Sequence, residues 1–323
     1  MTRSSLLSVK IKNGLAAAEK VIRAVCETDM PLLKETALAT LDAGGKRLRP
    51  ALVLIAGQTG EYDLEKLVPG AAAIELIHMA SLVHDDILDG ASTRRGAPTV
   101  NSKWGTTTAV ATGDFLFASA FALLARSDCP EANKVVSEAA LTLSLGELRQ
   151  LETSGVCGQD IDEYFDKIYK KTASLFSVSC RIGSLLSGGM PEQTELLSEY
   201  GKNLGMAFQI YDDVLDLEGS EETLGKPIGT DLLDGTVTLP ILYALAETSQ
   251  DSRICAVLEA DGPMQKEIDL AIDVILNTTA IEKTKKKARE FAEKAIEAAR
   301  HLDKSETRDD LRAIGEFVVS RYH

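Results

Sequence analysis

Apolar residues recur every three or four positions along nearly the whole chain, which is the period of an amphipathic helix. No stretch alternates apolar and polar residues in the way that predicts a strand. Prolines stand in or near the first turn of several of these segments, where they favour a helix start. The pattern predicts helices at 4–27, 30–42, 47–60, 64–89, 105–127, 131–154, 160–187, 192–218, 236–248, 252–276, 279–302 and 306–321. We therefore predict an all-α fold.

Two breaks between these helices are long enough to be functional loops, "GASTRRGAPTVNSKWG" at 90–105 and "EGSEETLGKPIGTDLLDG" at 218–235. No linker rich in proline and serine interrupts the pattern, so a single domain over 1–323 is predicted. Of the 323 residues, 45% are hydrophobic but only 5% are aromatic, and this composition also suits helices.

The formal charge of −14 argues against nonspecific binding to nucleic acid, because a phosphate backbone requires a cationic footprint. The five cysteines are scattered without a CxxC motif, which predicts reduced thiols in a cytoplasmic protein without a signal peptide. The longest apolar stretch, at 109–125, is interrupted by Asp114 and is shorter than the roughly 20 residues of a membrane span. We predict that it is a buried core helix and that the chain has no transmembrane segment.

Two similar acidic segments end predicted helices and run into the two long loops, "LVHDDILD" at 82–89 and "QIYDDVLD" at 209–216. In each, two aspartates four residues apart share one helix face, and like charges at that spacing repel by roughly 0.2–0.5 kcal/mol. The pairs are Asp85 with Asp89 and Asp212 with Asp216. A bound cation would relieve the repulsion, and Mg²⁺ prefers carboxylate oxygens shared with substrate phosphates. The alternative is that both helix ends are merely solvated.

Basic residues cluster where a diphosphate bound to such a metal would need them. "GGKRLRP" at 44–50 combines flexible glycines with the positive end of a predicted helix, an arrangement that favours an anion. "STRRGAP" at 92–98 and "LGKPIGTD" at 224–231 follow the two acidic motifs, and "YKKTASLF" lies at 169–176. Each cluster alone is weak, because most surface basic residues are only solvated.

Taken in order, these segments resemble the trans-isoprenyl diphosphate synthases, the polyprenyl synthetase family. The matching segments are "GGKRLRP", "LIHMASLVHDDILD", "TRRGAPT", "GDFLFA", "GELRQL", "KKTASLF", "FQIYDDVLD", "LGKPIGTDLLDGTVTLP" and "FVVSRYH". The likeness is strongest to bacterial medium-chain and long-chain synthases of the heptaprenyl type. It implies a helical bundle around a deep central cavity, with N-terminal helices at 1–42 and a catalytic core at 43–323. It further implies a homodimer that condenses isopentenyl diphosphate head-to-tail with an allylic diphosphate.

The resemblance also implies roles for individual residues. The metal ligands, for three Mg²⁺ ions, would be Asp85, Asp89, Asp212 and Asp216, with Asp86 and Asp213 in support. The allylic diphosphate would be held by Arg94, Lys171, Thr172, Gln209 and Lys226. Isopentenyl diphosphate would be held by Gly45, Lys46, Arg49, His78 and Arg95. His84 is either a structural residue or part of the site. No side chain stands out as a base, and the departing pyrophosphate is a candidate proton acceptor.

Product length should depend on the helix that carries Asp85, because the growing chain is expected to run back along it. Short-chain members of the family commonly place a bulky aromatic about one turn before the first aspartate. This chain has Ala80 and Ser81 there, and Ile77 lies further along the path. We predict a product in the hexaprenyl to octaprenyl range. Alternatively, the small residues only allow close helix packing, and a floor comes from elsewhere, such as Leu141 or Leu145.

Other functions remain open at this level. The chain could be a farnesyl or geranylgeranyl diphosphate synthase, or the catalytic subunit of a heteromeric heptaprenyl diphosphate synthase with a small regulatory partner. A class I terpene cyclase would share the helical fold, but it has a different second metal motif and does not need "GGKRLRP". A non-catalytic partner subunit tends to lose an aspartate motif, whereas this chain keeps both.

Overall fold

The computed structural model describes residues 7–219, 228–248 and 252–320, and these residues are almost entirely helical. The helices are α1 (Val9–Cys26), α2 (Pro31–Asp42), α3 (Leu48–Ala56), α4 (Leu64–Leu88), α5 (Val100–Trp104), α6 (Thr106–Leu124), α7 (Pro130–Thr153), α8 (Ile161–Ile168), α9 (Ser174–Leu186), α10 (Pro191–Glu218), α11 (Thr230–Leu233), α12 (Leu239–Glu247), α13 (Ser252–Leu258), α14 (Gln265–Leu276), α15 (Ala280–Arg300) and α16 (Ser305–Ser320). A 3₁₀ turn at Gly57–Thr59 follows α3, and a π-helical turn at Tyr169–Ala173 joins α8 to α9. The all-α prediction is confirmed.

Local sequence explains where several helices begin. Pro31, Pro130 and Pro191 are the first residues of α2, α7 and α10, as the sequence predicted. Asp160 closes a capping box with Glu163 at the start of α8, which satisfies two backbone N–H groups of the first turn.

The structure differs from the predicted elements in several places. The predicted helix at 160–187 contains the π-helical turn, and the predicted helix at 252–276 is divided between α13 and α14. The loop at 90–105 forms a hairpin in which β1 (Thr93–Arg94) pairs antiparallel with β2 (Ala97–Pro98). Two-residue strands are too short to show alternation, so the sequence pattern did not reveal them.

Two compact units make up the chain. The first comprises Met1–Ala140, Leu175–Gly201 and Ile296–Ile314, and the second comprises Leu141–Ser174, Lys202–Ala295 and Gly315–His323. In the first unit, α4 packs against α1, α3 and α6, and its residues 70–77 are buried on every side. In the second, Tyr164, Tyr211 and Leu239 are fully buried. The single domain over 1–323 stays a prediction.

The apolar helix α6 is less buried than the sequence predicted. Both α4 and α6 are long and apolar enough to cross a membrane by length and composition, and 72% of the apolar window of α4 is buried against 33% of that of α6. A mostly buried core helix passes the same test, and this describes α4. The prediction that 109–125 is a buried core helix was therefore wrong in part, because α6 leaves side chains such as Val110 exposed.

The prediction of five reduced thiols was also wrong. Cys157, in the turn after α7, forms a disulfide with Cys255 of α13. Because the two cysteines are 98 residues apart, no spacing in the sequence indicated the pair. Cys26, Cys129 and Cys180 are free thiols. The cross-linked turn also binds the segment after the second acidic motif, since Gly155 donates its N–H to the Gly235 carbonyl over 2.9 Å.

Candidate active site

The first acidic motif occupies the last turn of α4. Asp86 is buried and accepts a hydrogen bond of 2.6 Å from Nε of Arg94. Burial raises the pKa of Asp86, while the Arg94 guanidinium acts in the opposite direction. Asp85 is half-buried and Asp89 is exposed at the end of the helix, so their shared face is more open to solvent. Asp86 thus fixes Arg94 beside the two residues predicted to bind metal.

The hairpin after α4 carries two predicted substrate arginines. Arg95 and Gly96 form its turn, both with positive φ (54° and 78°), as a type I′ turn requires. The Arg95 guanidinium donates to the carbonyl of Gly44. A Cβ on Gly45 would lie 2.6 Å from Nη1 of Arg95, and the positive φ of Gly45 (148°) also favours glycine here. The hairpin and the glycine turn before α3 are therefore in contact, as a shared anion site requires.

Arg49 and His78 lie together next to that turn. Nη1 of Arg49 is 3.3 Å from Nε2 of His78, and its guanidinium carbon lies 4.5 Å from the centre of the Phe176 ring. Burial, with nearby Arg49 and Arg95, lowers the pKa of His78 well below its usual value. His78 is therefore neutral at pH 7 and can accept from Arg49 or donate to a ligand. Lys46 is half-buried in the turn that precedes α3.

The second acidic motif, near the end of α10, has a buried hydrogen-bond network of its own. Asp213 accepts from the Tyr164 hydroxyl over 2.6 Å and from Nε2 of Gln209 over 2.9 Å. Burial raises the pKa of Asp213 to about 6. Gln209 in turn accepts from the hydroxyl of Thr172 over 2.7 Å. Thr172, Gln209 and Asp213 are thus brought together as the sequence predicted, and Tyr164 joins them.

Asp212 and Asp216 share the next face of α10 but differ in environment. Asp212 is half-buried, whereas Asp216 is buried and its Oδ2 accepts from the N–H of Asp231 over 3.0 Å. The Asp216 carbonyl accepts from Gly229 over 2.8 Å. These contacts tie the segment at 228–231 to the acidic motif. Lys226, predicted to bind the allylic diphosphate, lies outside the described residues.

The π-helical turn carries the predicted substrate residues Lys171 and Thr172. Nζ of Lys171 lies 2.9 Å from the Glu147 carboxylate and 3.1 Å from Oε1 of Gln150, both on α7. A Cβ on Gly146 would lie 2.8 Å from the backbone nitrogen of Lys171, so a glycine lets α7 approach this turn. Such π-helical turns occur frequently at functional sites.

The three residues predicted to control product length lie on two neighbouring faces of α4, because Ile77 and Ser81 are in line with Asp85 and Ala80 lies beside them. Ile77 and Ala80 are fully buried, and Ser81 is half-buried with its hydroxyl donating to the His78 carbonyl over 2.9 Å. Ser81, four residues before Asp85, shares the face of that aspartate. Ala80 shares the face of His84, whose ring packs against Gly113 of α6. The proposed alternative floor residues, Leu141 and Leu145, are 68% and 59% exposed.

The donor chemistry of both motifs fits a hard divalent cation. In each motif the middle aspartate accepts a hydrogen bond from a protein side chain. The other two aspartates are four residues apart and share the neighbouring helix face. Two carboxylates completed by water and phosphate oxygens suit Mg²⁺. Within 7–219, 228–248 and 252–320, no group of three or more His, Cys, Asp or Glu side chains is arranged to hold a metal alone.

Sequence reasoning missed two buried residues that support these sites. Tyr164 binds Asp213, and Glu75 forms an ion pair of 2.6 Å with Arg47. Glu75 could have been noticed, because it is an acid inside an otherwise apolar helix segment. Tyr164 gave no such signal, since a tyrosine at an apolar helix position is typical of a core.

Comparison with known proteins places this geometry in a family. The polyprenyl synthetase family model matches residues 30–275. Component 2 of heptaprenyl diphosphate synthase from Geobacillus stearothermophilus is 40% identical over 313 residues, which are 96% of this chain and 97% of that protein. The crystal structure of heptaprenyl diphosphate synthase from Staphylococcus aureus superposes with a TM-score of 0.92 at 32% identity, covering 98% of this chain and 100% of that one.

A third relative is informative about ligands. The polyprenyl synthase of Caulobacter crescentus, solved in complex with calcium and isoprenyl diphosphate, superposes with a TM-score of 0.90 at 32% identity, covering 97% of this chain and 96% of that one. Relatives named for geranylgeranyl, nonaprenyl and decaprenyl products also match nearly the whole chain. The chain belongs to the polyprenyl synthetase family and is a prenyltransferase of isoprenoid biosynthesis.

Proposed function

We propose that the chain is a Mg²⁺-dependent trans-polyprenyl diphosphate synthase that condenses isopentenyl diphosphate with an allylic diphosphate. The observation that carries this proposal is the pair of intact aspartate motifs, each with a buried middle aspartate that accepts a hydrogen bond from a protein side chain. Both motifs and the four basic clusters supply the metal and phosphate ligands that this reaction needs.

The allylic diphosphate is held, in this proposal, by Arg94, Lys171, Thr172, Gln209 and Lys226. Lys171 exchanges its contact with Glu147 for the diphosphate, and Arg94 stays oriented by Asp86. When bound, Mg²⁺ supplies Lewis-acid assistance to departure of the diphosphate. Its ligands are Asp85, Asp89, Asp212 and Asp216. Fixed dipoles of the π-helical turn and of Gln209 stabilise the allylic cation, and apolar walls exclude water from it.

Isopentenyl diphosphate is held by Gly45, Lys46, Arg49, His78 and Arg95, and its double bond attacks the allylic cation. The contact of the Arg95 guanidinium with the glycine turn and the short distance from Arg49 to His78 support a common anion site. The attack leaves a cation on the isopentenyl unit, and loss of a proton from the adjacent carbon forms the new double bond, with the departed pyrophosphate as the proton acceptor.

The product is proposed to lie in the hexaprenyl to octaprenyl range. Small side chains at Ala80 and Ser81 support this length, as do two relatives named heptaprenyl diphosphate synthase. Farnesyl and geranylgeranyl diphosphate are the alternative products. Ala80 is packed on the face of α4 that meets α6, so Ser81 is the residue more directly in line with Asp85.

We further propose a cytoplasmic homodimer. Exposed leucines recur on one face of α7 at Leu141, Leu145, Leu148 and Leu151, and they are 49–68% exposed. A leucine stripe at this spacing packs against a copy of itself in the manner of a coiled coil, and a two-fold interface needs such a self-complementary surface. One relative is named "component 2", so the alternative is that a second, different chain packs against this leucine face of α7.

One assay tests the activity and the need for a partner. Purified protein is incubated with Mg²⁺, isopentenyl diphosphate and geranyl, farnesyl or geranylgeranyl diphosphate, and product length is read by mass spectrometry. Elongation by the isolated chain supports a complete synthase. Absence of elongation with every primer contradicts it, and rescue by a small second subunit would identify the chain as a catalytic component.

A further inference from the structure

A buried ion pair outside the proposed substrate contacts links α4 to the glycine turn before α3. Oε1 of Glu75 lies 2.6 Å from Nη1 of Arg47, and their side chains are 3% and 14% exposed. Burying both charges is costly unless geometry and further hydrogen bonds compensate, so a buried pair is weak evidence for added stability. The position of this ion pair beside the glycine turn indicates that it shapes the turn.

Arg47 is the residue that sets the path of the turn. Its backbone is left-handed (φ 48°, ψ 35°), a conformation that is unfavourable for a residue with a side chain. The preceding Gly44 and Gly45 also have positive φ. Nη2 of Arg47 donates to the Leu41 carbonyl over 2.9 Å, and Nη1 binds Glu75. The side chain of Arg47 thus holds an otherwise unfavourable turn at two points.

The same turn carries Lys46, and the first turn of α3 directly after it carries Arg49. Glu75 lies three residues before His78 on one face of α4, and His78 contacts Arg49. One helix face therefore fixes Arg47 through Glu75 and Arg49 through His78. Glu75 also lies near Arg95, where its charge favours the protonated guanidinium.

We propose that Glu75 is a positioning residue for isopentenyl diphosphate, acting through Arg47. It holds the turn so that Lys46 and Arg49 face the diphosphate, and its negative charge offsets part of the repulsion within the arginine cluster. This inference rests on the proposed function, which places isopentenyl diphosphate at Lys46 and Arg49.

The test compares Glu75→Gln with the wild-type chain in steady-state kinetics. Glutamine keeps the size of the side chain but cannot pair with Arg47 as a charge. Misplaced phosphate ligands should raise KM for isopentenyl diphosphate roughly 10- to 100-fold, with little change in KM for farnesyl diphosphate. A merely structural role would alter both KM values together or neither.

Asp310→Asn is the matched control. Asp310 is a buried acid of the same unit that accepts from Nε2 of Gln58 over 2.9 Å, and Gln58 is not a proposed substrate residue. Its loss should lower thermal stability while both KM values stay within about twofold. The exchanged pair Glu75→Arg with Arg47→Glu restores the ion pair and should recover part of the affinity.

Calorimetric titration with isopentenyl diphosphate alone separates this inference from the proposed function. Wild-type binding without elongation would count against the synthase proposal, and weaker binding by Glu75→Gln would still support the positioning role. Equal binding by both proteins would overturn that role. If Glu75→Gln does not fold, Arg47→Met removes the same pair from the other side, and the same selective loss is expected.

Discussion

Tyr164 donates its hydroxyl to Oδ2 of Asp213 over 2.6 Å, and both side chains are buried. The contact fixes the middle aspartate of the second motif from a different helix. We expect it to steady the turn of α10 that also carries Asp212, which we propose binds Mg²⁺.

Replacing Tyr164 by phenylalanine should weaken the metal site. The variant leaves Asp213 with one buried partner fewer, which should cost about 1–3 kcal/mol of unfolding free energy, and the Mg²⁺ concentration for half-maximal activity should rise. Denaturant unfolding and a Mg²⁺ titration measure the two effects. Tyr200→Phe is the control, because the Tyr200 hydroxyl donates to the Leu311 carbonyl over 2.7 Å and not to a proposed metal ligand. An unchanged Mg²⁺ requirement in Tyr164→Phe would contradict this role.

Removal of a proposed metal ligand should be far more damaging to activity than to stability. Asp85→Ala should lower kcat/KM by at least about 100-fold, because it removes a metal ligand. Stability should change little, because the substitution also relieves the repulsion between Asp85 and Asp89. Chelation by EDTA should abolish activity in the wild type. Asp42→Asn, which alters an exposed pair with Arg23, should leave the rate unchanged. Retained activity in Asp85→Ala would show that the metal assignment is wrong.

A phenylalanine one turn before Asp85 should shorten the product. Both Ala80→Phe and Ser81→Phe are expected to yield shorter chains by chromatography of the lipids. Ala80→Phe should also cost roughly 1–3 kcal/mol of stability, since Ala80 is fully buried and Ser81 is not. Ala111→Phe, at an exposed position of α6, is the control. If both variants are active and their products are as long as those of the wild type, Ala80 and Ser81 do not control product length.

Breaking the disulfide should destabilise the second unit. Cys255→Ser should lower the free energy of unfolding by about 2–4 kcal/mol, because a long loop in the unfolded chain is no longer closed. Dithiothreitol should have the same effect on the wild type and none on the variant. Cys129→Ser removes a free thiol and should behave as wild type. If dithiothreitol still lowers the free energy of unfolding of Cys255→Ser, its effect does not come from this disulfide.

Charge on the leucine stripe of α7 should dissociate the proposed homodimer. Leu145→Glu with Leu148→Glu should sediment as a monomer, since burying two carboxylates in an apolar interface is unfavourable. Leu270→Glu places the same charge at a leucine of α14 that is 46% exposed, and it should leave the assembly unchanged. A dimer that survives the double substitution would show that this face is not the interface.

Much of the fold was predictable because it follows from local rules. Helical periodicity and prolines at Pro31, Pro130 and Pro191 placed the helices, and spacing alone put Asp85 with Asp89 on one face. The disulfide between Cys157 and Cys255 was not predictable, because it depends on a contact between distant segments.

The supporting residues of the site escaped prediction for a similar physical reason. The roles of Glu75 and Tyr164 are set by buried partners on other elements, Arg47 and Asp213. The low burial of α6 was missed because composition cannot distinguish a core helix from one with an exposed apolar face.

The π-helical turn at Tyr169–Ala173 has a consequence for how this segment tolerates change. The N–H of Ser174 bonds to the Tyr169 carbonyl five residues earlier, so the turn accommodates one residue more than an α-helix would. Deleting a single residue there would let the segment revert to a continuous α-helix, which would rotate Lys171 and Thr172 by about 100° relative to α9. A substitution leaves the number of residues between α8 and α9 unchanged, whereas a deletion shortens it by one. The length of this segment therefore determines the site as much as its composition does.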